Sequence, residues 1–319
     1  MLPTVSVIMP AYNVDQFVAD AAYSALHQTY ERVELIIAND GSTDRTADVA
    51  EDVRRSDPRR VRTVTIPNGG PSAARNAAVQ IASGEFLALL DADDIWEREF
   101  LERQMAVFAS RPEIDLVTGN GRYLGSRRHG RTVRPSPDSR PVPDLAAIVS
   151  DEEAVFVMTV FRRRVLDTIG GFDETLRGNE DYDFWLRAAL AGFRFFRNDE
   201  PLAWYRRRDD SLSADSVRML EGVLRVARKM QVLCAERPER DLVENKIAYF
   251  EAELDAARVR DALQRGDAAG AAKSLAALQT RRPSLRTGVA AALARHAGPL
   301  LTTLYHLKRG LRTWRWQTS

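Results

Sequence analysis

Between residues 5 and 90 the chain switches repeatedly between two hydrophobic periods, and a polar cluster follows each short apolar run. Val5-Ser6-Val7-Ile8-Met9 is a β-branched run that ends at Pro10, where a strand is expected to stop. Phe17, Val18, Ala21, Ala22, Ala25 and Leu26 then line one face of a helix. The pattern repeats as strand 33–38, helix 43–55, strand 61–66, helix 71–82 and strand 86–90. Strands that alternate with helices imply βα units and a parallel sheet. In such sheets ligands sit beyond the carboxyl ends of the strands. Four polar clusters fall at those ends: Ala11-Tyr12-Asn13, Asn39-Asp40-Gly41-Ser42, Asn68-Gly69-Gly70 and Asp91-Ala92-Asp93.

Further on the pattern predicts helix 99–109, strand 114–118, strand 155–161, helix 182–190 and short extended pieces at 193–198 and 202–206. The stretch from Gly121 to Pro143 reads as a hairpin or long loop. It is rich in arginine (Arg122, Arg127, Arg128, Arg131, Arg134, Arg140), with Asp138 as its acid. From about Ser216 the texture changes to Ala, Leu, Arg and Glu, with helices expected at 217–235, 242–264 and 268–279. The organisation expected is therefore an α/β domain over 1–215 and a helical region over 216–319.

Formal net charge is +1, with 46 basic and 45 acidic side chains, so no whole-molecule field draws a nucleic acid and none is expected as a partner. Cys234 is the sole cysteine, which excludes an intrachain disulfide and a cysteine zinc site and points to a reducing, cytoplasmic setting. The N-terminus lacks a basic region followed by a long apolar one, so no signal peptide is expected. No run of about 18 apolar residues predicts a membrane-spanning helix.

The acidic cluster after the strand at 86–90 carries the chemistry. Two carboxylates one residue apart at a sheet edge are hard oxygen ligands, which Mg2+ or Mn2+ shares with substrate phosphates. Taken together, the motifs resemble the inverting glycosyltransferases of family 2, which have a GT-A fold: a Rossmann-type mixed sheet flanked by helices. The resemblance runs over roughly 5–213. It rests on Ser6-Val7-Ile8-Met9-Pro10-Ala11-Tyr12-Asn13, Asn39-Asp40-Gly41-Ser42-Thr43-Asp44, the run from Asn68 to Asn76, Asp91-Ala92-Asp93, and Glu180-Asp181, all in the family's order.

The resemblance implies a metal-dependent, inverting transfer of a sugar from a nucleotide donor, UDP-linked by expectation, to a hydroxyl of a glycan, glycolipid or cell-envelope precursor. Pro10, Ala11, Tyr12, Asn13, Asp40, Arg75, Asp91 and Ala92 would bind the donor nucleotide. Asp93, with Asp91, would hold Mn2+ or Mg2+. Asp181 would be the general base, and Glu180 would orient the acceptor or Asp181. Arg206, Arg208 and Ser211 would lie in a loop at the diphosphate, with Arg208 where the family often has histidine. Asp44 and Asp94 also read as helix caps.

Two other readings compete. A nucleotidyltransferase of similar fold would need an early Gly-rich phosphate loop, and this chain has Pro10-Ala11-Tyr12-Asn13 there. A non-catalytic relative would have lost acids that Asp91, Asp93 and Asp181 retain. The arginine-rich stretch reads as a solvated loop or as a contact for an anionic acceptor. The tail, with Leu300, Leu304, Leu307, Leu311, Trp314 and Trp316 among Lys308, Arg309, Arg312 and Arg315, fits a peripheral contact with the inner face of a membrane, packing on the helical region, or homo-oligomer formation.

Overall fold

The structure is a computed structural model, which describes residues 2–125, 128–140, 142–152, 154–207, 216–285 and 287–294. Arg208, Ser211 and the Leu- and Trp-bearing tail lie outside the described residues. The chain divides into two compact units, Met1–Ala214 and Asp215–Ser319.

The first unit opens as β1 (Val5–Ala11), α1 (Val18–Leu26), β2 (Val33–Asn39), α2 (Thr46–Ser56), β3 (Val61–Thr65), α3 (Pro71–Ile81) and β4 (Phe86–Leu89). It continues with β5 (Ile95–Trp96), α4 (Phe100–Ser110), β6 (Leu116–Leu124), α5 (Leu145–Ser150), β7 (Thr159–Arg162), α6 (Arg163–Ile169), α7 (Glu180–Leu190) and β8 (Phe195–Arg206). Among the described residues, the strands form one eight-stranded sheet in the order β3-β2-β1-β4-β7-β6-β8-β5. The first four strands are parallel; β7 lies antiparallel between β4 and β6, and β5 antiparallel to β8. This is the mixed α/β sheet flanked by helices that the family resemblance implies.

Every residue of β2 is buried, which is why Val33 to Ala38 reads as a nearly continuous apolar run. The helix α1 turns Val18, Ala21, Ala22, Ala25 and Leu26 into the core, the face its spacing predicts. Pro71 starts α3 at a position whose N–H has no helical partner to lose, directly after Gly70 at φ +88°.

Several expected boundaries move. Pro10 does not end β1, which pairs with β2 as far as Ala11. Leu90 N–H donates to the Ile8 carbonyl, and the β1–β4 pairing ends at Ile8 and Leu89. Pro10 therefore lacks its N–H on the side where β4 has already finished, and nothing is lost. The strand expected at 155–161 is only Thr159–Arg162, and α5 and α6 were not foreseen. The two extended pieces at 193–206 are one strand, β8, with register shifts against β6 around Asn120 that absorb Asp199-Glu200-Pro201.

The arginine-rich stretch is a hairpin at its start: Gly121–Leu124 belongs to β6, and Tyr123 N–H donates to the Arg131 carbonyl. Much of its charge is engaged within the unit. Arg134 is buried and donates to the Ala154 carbonyl at 2.7 Å. Arg140 pairs with Asp138 at 2.6 Å and Asp151 at 2.8 Å, and Arg122 donates to the Pro201 carbonyl at 2.8 Å. These three guanidinium groups are engaged by partners within the unit.

The second unit is helical: α8 (Ser216–Leu233), α9 (Arg240–Gln264) and α10 (Ala268–Arg281), followed by a further helical stretch at 287–294. Val259, Leu263, Ala271, Leu275, Ala291 and Ala294 form one of its buried clusters. Among the described residues no helix is long and apolar enough to cross a membrane.

Candidate active site

The carboxyl ends of β1, β2 and β4 bring the polar clusters together, as the strand order requires. Asn13 is left-handed at φ 50°, a conformation asparagine tolerates. Its side-chain carbonyl accepts from Thr43 N–H at 2.9 Å, and its own N–H donates to Ser42 Oγ at 3.1 Å. The first loop is thereby pinned to the second. Tyr12, beside it, is 48% exposed and presents its ring to solvent at the sheet edge. Asp44 precedes the N-cap Arg45; it accepts from Thr46 N–H at 2.9 Å and from Asp15 N–H at 3.2 Å, so it joins the turn before α2 to the first loop.

Asp40 is buried, and both of its oxygens are engaged. Oδ1 accepts from Gly69 N–H at 2.7 Å and Oδ2 from Gly70 N–H at 2.9 Å. Asn68 Nδ2 donates to the Asp40 carbonyl at 3.1 Å. The residue expected to contact the base is thus also the clamp that shapes the loop before α3. Gly41, at φ +65°, sits where a Cβ would come within 2.8 Å of Asn68 N, so only glycine lets these two loops touch.

Arg75, one turn into α3, is 3% exposed. Its guanidinium donates to Asp91 Oδ1 at 2.7 Å through Nη2 and to Glu180 Oε1 through Nη1. It also lies 5.6 Å from the Phe172 ring centroid. Three distant segments thus meet at one cation: the helix after the glycine loop, the acidic loop after β4, and the first turn of α7. Burial alone would weaken the charge on Arg75, but Asp91, Glu180 and Asp181 more than offset this and raise its pKa. Glu180 is itself buried against Arg75.

Asp181 sits next to Glu180 in the first turn of α7 and is half-buried. Its Oδ1 accepts from Tyr182 N–H at 2.8 Å. Burial and then the Glu180 charge push its carboxyl up to about 6, with Arg75 pulling the other way. The helix N-terminus favours the anion, but burial outweighs it.

Ala92 is buried while Asp91 and Asp93 are half-buried, so the loop turns its two acids outward around an apolar pivot. Arg206, at the end of β8, holds this loop from the side: its Nε donates to the Asp93 carbonyl at 2.8 Å, and its guanidinium lies 4.5 Å from the Phe17 centroid. Asp94 does not cap a helix, because the next element is β5. It is buried and accepts from Arg206 N–H at 2.7 Å through Oδ1, while Oδ2 has no hydrogen-bond partner among the described residues. Burial, and then Asp93 and Asp91, push its carboxyl well above the ordinary range. No motif marks Phe17 or Phe172 as part of the site, and Asp94 reads from the sequence as a third carboxylate whose first role is a cap. The Asp-x-Asp-Asp spelling of residues 91–94 was the one signal for the last.

No group of three or more His, Cys, Asp or Glu side chains gathers to hold a metal among the described residues. Asp91 and Asp93 do fit a hard divalent cation that takes two protein carboxylates and completes its shell with phosphate oxygens and water.

The family profile of glycosyl transferase family 2 matches residues 6–170. The glycosyltransferase EpsJ of Bacillus subtilis, uncharacterized, is 34% identical over 222 residues, which are 67% of this chain and 64% of that one. The chain therefore spans slightly less than two thirds of that relative. Staphylococcus aureus TarS in complex with UDP superposes with a TM-score of 0.62 at 20% identity over 96% of this chain and 92% of that one. The mannosyltransferase PcManGT of Pyrobaculum calidifontis, in complex with GDP-Man and Mn2+, gives 0.62 at 19% identity over 96% and 88%. At that identity these two likenesses speak for the fold alone, and the fold they share is the GT-A one. The profile covers just over half of the residues, and on that match this chain belongs to glycosyl transferase family 2.

Proposed function

We propose that the first unit transfers one sugar from a nucleotide diphosphate donor, UDP-linked, to a hydroxyl of a glycan, glycolipid or cell-envelope precursor, with inversion, and that the helical unit is an appendage to it. The observation that carries this reading is Arg75. One buried guanidinium joins Asp91, on the donor side, to Glu180, the neighbour of Asp181. The acids that would face the leaving group and the acid that would face the incoming hydroxyl are thereby held in one frame.

Tyr12 offers an open ring to the base, and Asp40 keeps the Gly69-Gly70 turn in the shape that a close-lying nucleotide needs. Asp181, with its carboxyl near 6, is deprotonated at neutral pH yet basic enough to accept a proton. It takes the proton of the acceptor hydroxyl as that oxygen attacks the anomeric carbon. The bond from that carbon to the diphosphate oxygen breaks on the opposite face, so the configuration inverts and no enzyme-bound intermediate forms. A divalent cation, Mn2+ or Mg2+, held by Asp93 and Asp91, would supply charge neutralisation for the departing diphosphate. Arg206 keeps the Asp93 backbone in place for that role. UDP in TarS supports the choice of donor, and Mn2+ in PcManGT supports the choice of cation.

A donor-hydrolysis screen over UDP-, GDP- and dTDP-sugars with Mn2+ tests this. Release of UDP from one donor is expected, with Asp181→Asn losing about 10²–10⁴-fold in transfer while still binding UDP. Release of GDP alone would overturn the donor assignment, and an Asp181→Asn variant of full activity would overturn the base.

A further inference from the structure

The helical unit holds a cleft of about 300 Å³, at the small end of ligand-binding cavities. It lies between α8 and α9, with the last residue of α10, Arg281, at its side. Leu224 and Leu254 are buried and form its apolar lining; the rest of the lining is charged.

The charges follow a register. Arg258 on α9 pairs with Glu221 on α8 at 2.8 Å, and Arg228 on α8 pairs with Glu251 on α9 at 3.0 Å. The two pairs cross in opposite senses, so the helices run antiparallel with one ion pair at each end of the cleft. Arg225 stands between them on α8, one turn from each end. The acid nearest to its level on α9 is Asp255, and Arg281 already holds Asp255 at 3.1 Å as well as reaching Glu251. Each carboxylate lining the cleft is therefore engaged by a guanidinium, and Arg225 is the remaining one. It is exposed and forms no ion pair among the described residues. A fork of N–H donors over a small apolar-floored cleft, with fixed guanidinium groups on both sides, matches a group that offers two neighbouring anionic oxygens.

We infer that this cleft binds one acidic unit of a glycan, carrying a carboxylate or a phosphate, with Arg225 as its anchor. The ligand class rests on the transferase reading, because an acceptor glycan is the extended polar molecule such an enzyme must hold. The neighbouring ion pairs keep Arg228 and Arg258 from collapsing over the cleft and restrict the site to a single anion.

Calorimetric titration of the full chain with tetragalacturonate, glycerol 3-phosphate and neutral maltotetraose tests it, with UDP and Mn2+ present so that the donor site does not compete. Binding of at least one anion is expected, at least tenfold tighter than maltotetraose. Arg225→Gln weakens that binding at least tenfold, and Arg225→Lys weakens it less. Galacturonate alone identifies a carboxylate unit, and glycerol 3-phosphate alone a phosphate unit. Arg225 is exposed and outside the donor site, so donor hydrolysis by Arg225→Gln stays at the wild-type level and reports that the variant folds. Absence of binding by both anions, equal binding of maltotetraose, or an unchanged Arg225→Gln would overturn the inference. Failure of wild-type donor hydrolysis would strike the transferase reading instead.

Discussion

The two units use the same chemical pair, arginine with carboxylate, under opposite conditions. In the sheet unit Arg75 and Glu180 are almost wholly withdrawn from water, at 3% and 7% side-chain exposure. In the helical unit Arg258 and Glu221 keep 46% and 41%. A buried pair costs several kcal/mol per ion to desolvate and is strongly destabilising to break. An exposed pair is screened and contributes about 0–1 kcal/mol. The difference separates a rigid frame at the candidate site from a surface ladder. A frame must have one geometry, and burial enforces it; a surface cleft needs charges that a ligand can still reach.

Arg75→Ala strikes the comparison hardest. It leaves Asp91 and Glu180 without their cation, and loss of one partner of a buried pair costs about 3–5 kcal/mol. A large drop in melting temperature is expected, together with loss of transfer because the two acidic segments separate. Chemical unfolding at pH 7 checks the first and product formation the second. A stability change under about 1 kcal/mol would mean that Arg75 is solvated in practice and that the contrast between the units fails. Asp40→Asn comes next. The amide can accept from only one of Gly69 and Gly70 and sets an NH2 against the other, at a cost of about 1–3 kcal/mol for a buried unsatisfied group. Weaker UDP binding should accompany it, measured as a raised KM for the donor, since the proposed donor site includes the same loop.

The pH dependence of Asp181 sharpens the comparison further, because it reports on the frame while the protein stays intact. With its carboxyl near 6, transfer should fall about tenfold for each pH unit below that value and level off above it. The stability effect has a definite sign. The folded state holds the proton up to about 6, whereas an unfolded aspartate releases it near 4. The folded state therefore binds more protons in that window, and stability falls as pH rises through it. Asp181→Asn lacks this loss, so it should match wild type near pH 4 and be the more stable of the two at pH 8. Equal thermal denaturation curves at both pH values would show that the fold does not raise the Asp181 carboxyl.

What was readable in the sequence follows the same divide. The βα alternation was legible because β2 and β4 are buried on both faces and so lack polar interruptions. The strand β8 was not legible as one element. Asp199-Glu200-Pro201 breaks its apolar pattern, and its pairing with β6 survives only through register shifts. The helix α5 is six residues long and announced mainly by Asp144, whose side chain accepts from Ala147 N–H. The acids of the site could be named because short motifs carry them. Their couplings could not, since Arg75 and Glu180 stand 105 residues apart and nothing local records that they meet. Asp40 shows the limit from the other side: its motif marks a turn, but only the fold reveals that both oxygens are occupied by the next loop.

The smallest effect belongs to the helical ladder, and it is the one that keeps the contrast honest. Arg258→Ala removes a pair that both partners make near water, so a cost below about 1 kcal/mol is expected. A double-mutant cycle with Glu221→Gln isolates the coupling, expected at about 0.2–1 kcal/mol and reduced by added salt, because exposed charges are screened over about 10 Å at 0.1 M. A coupling of about 3 kcal/mol that ignores salt would show the ladder to be as rigid a frame as the one around Arg75. A weak, salt-sensitive coupling is what an exposed pair gives, and it leaves the contrast with the buried pair at Arg75 standing.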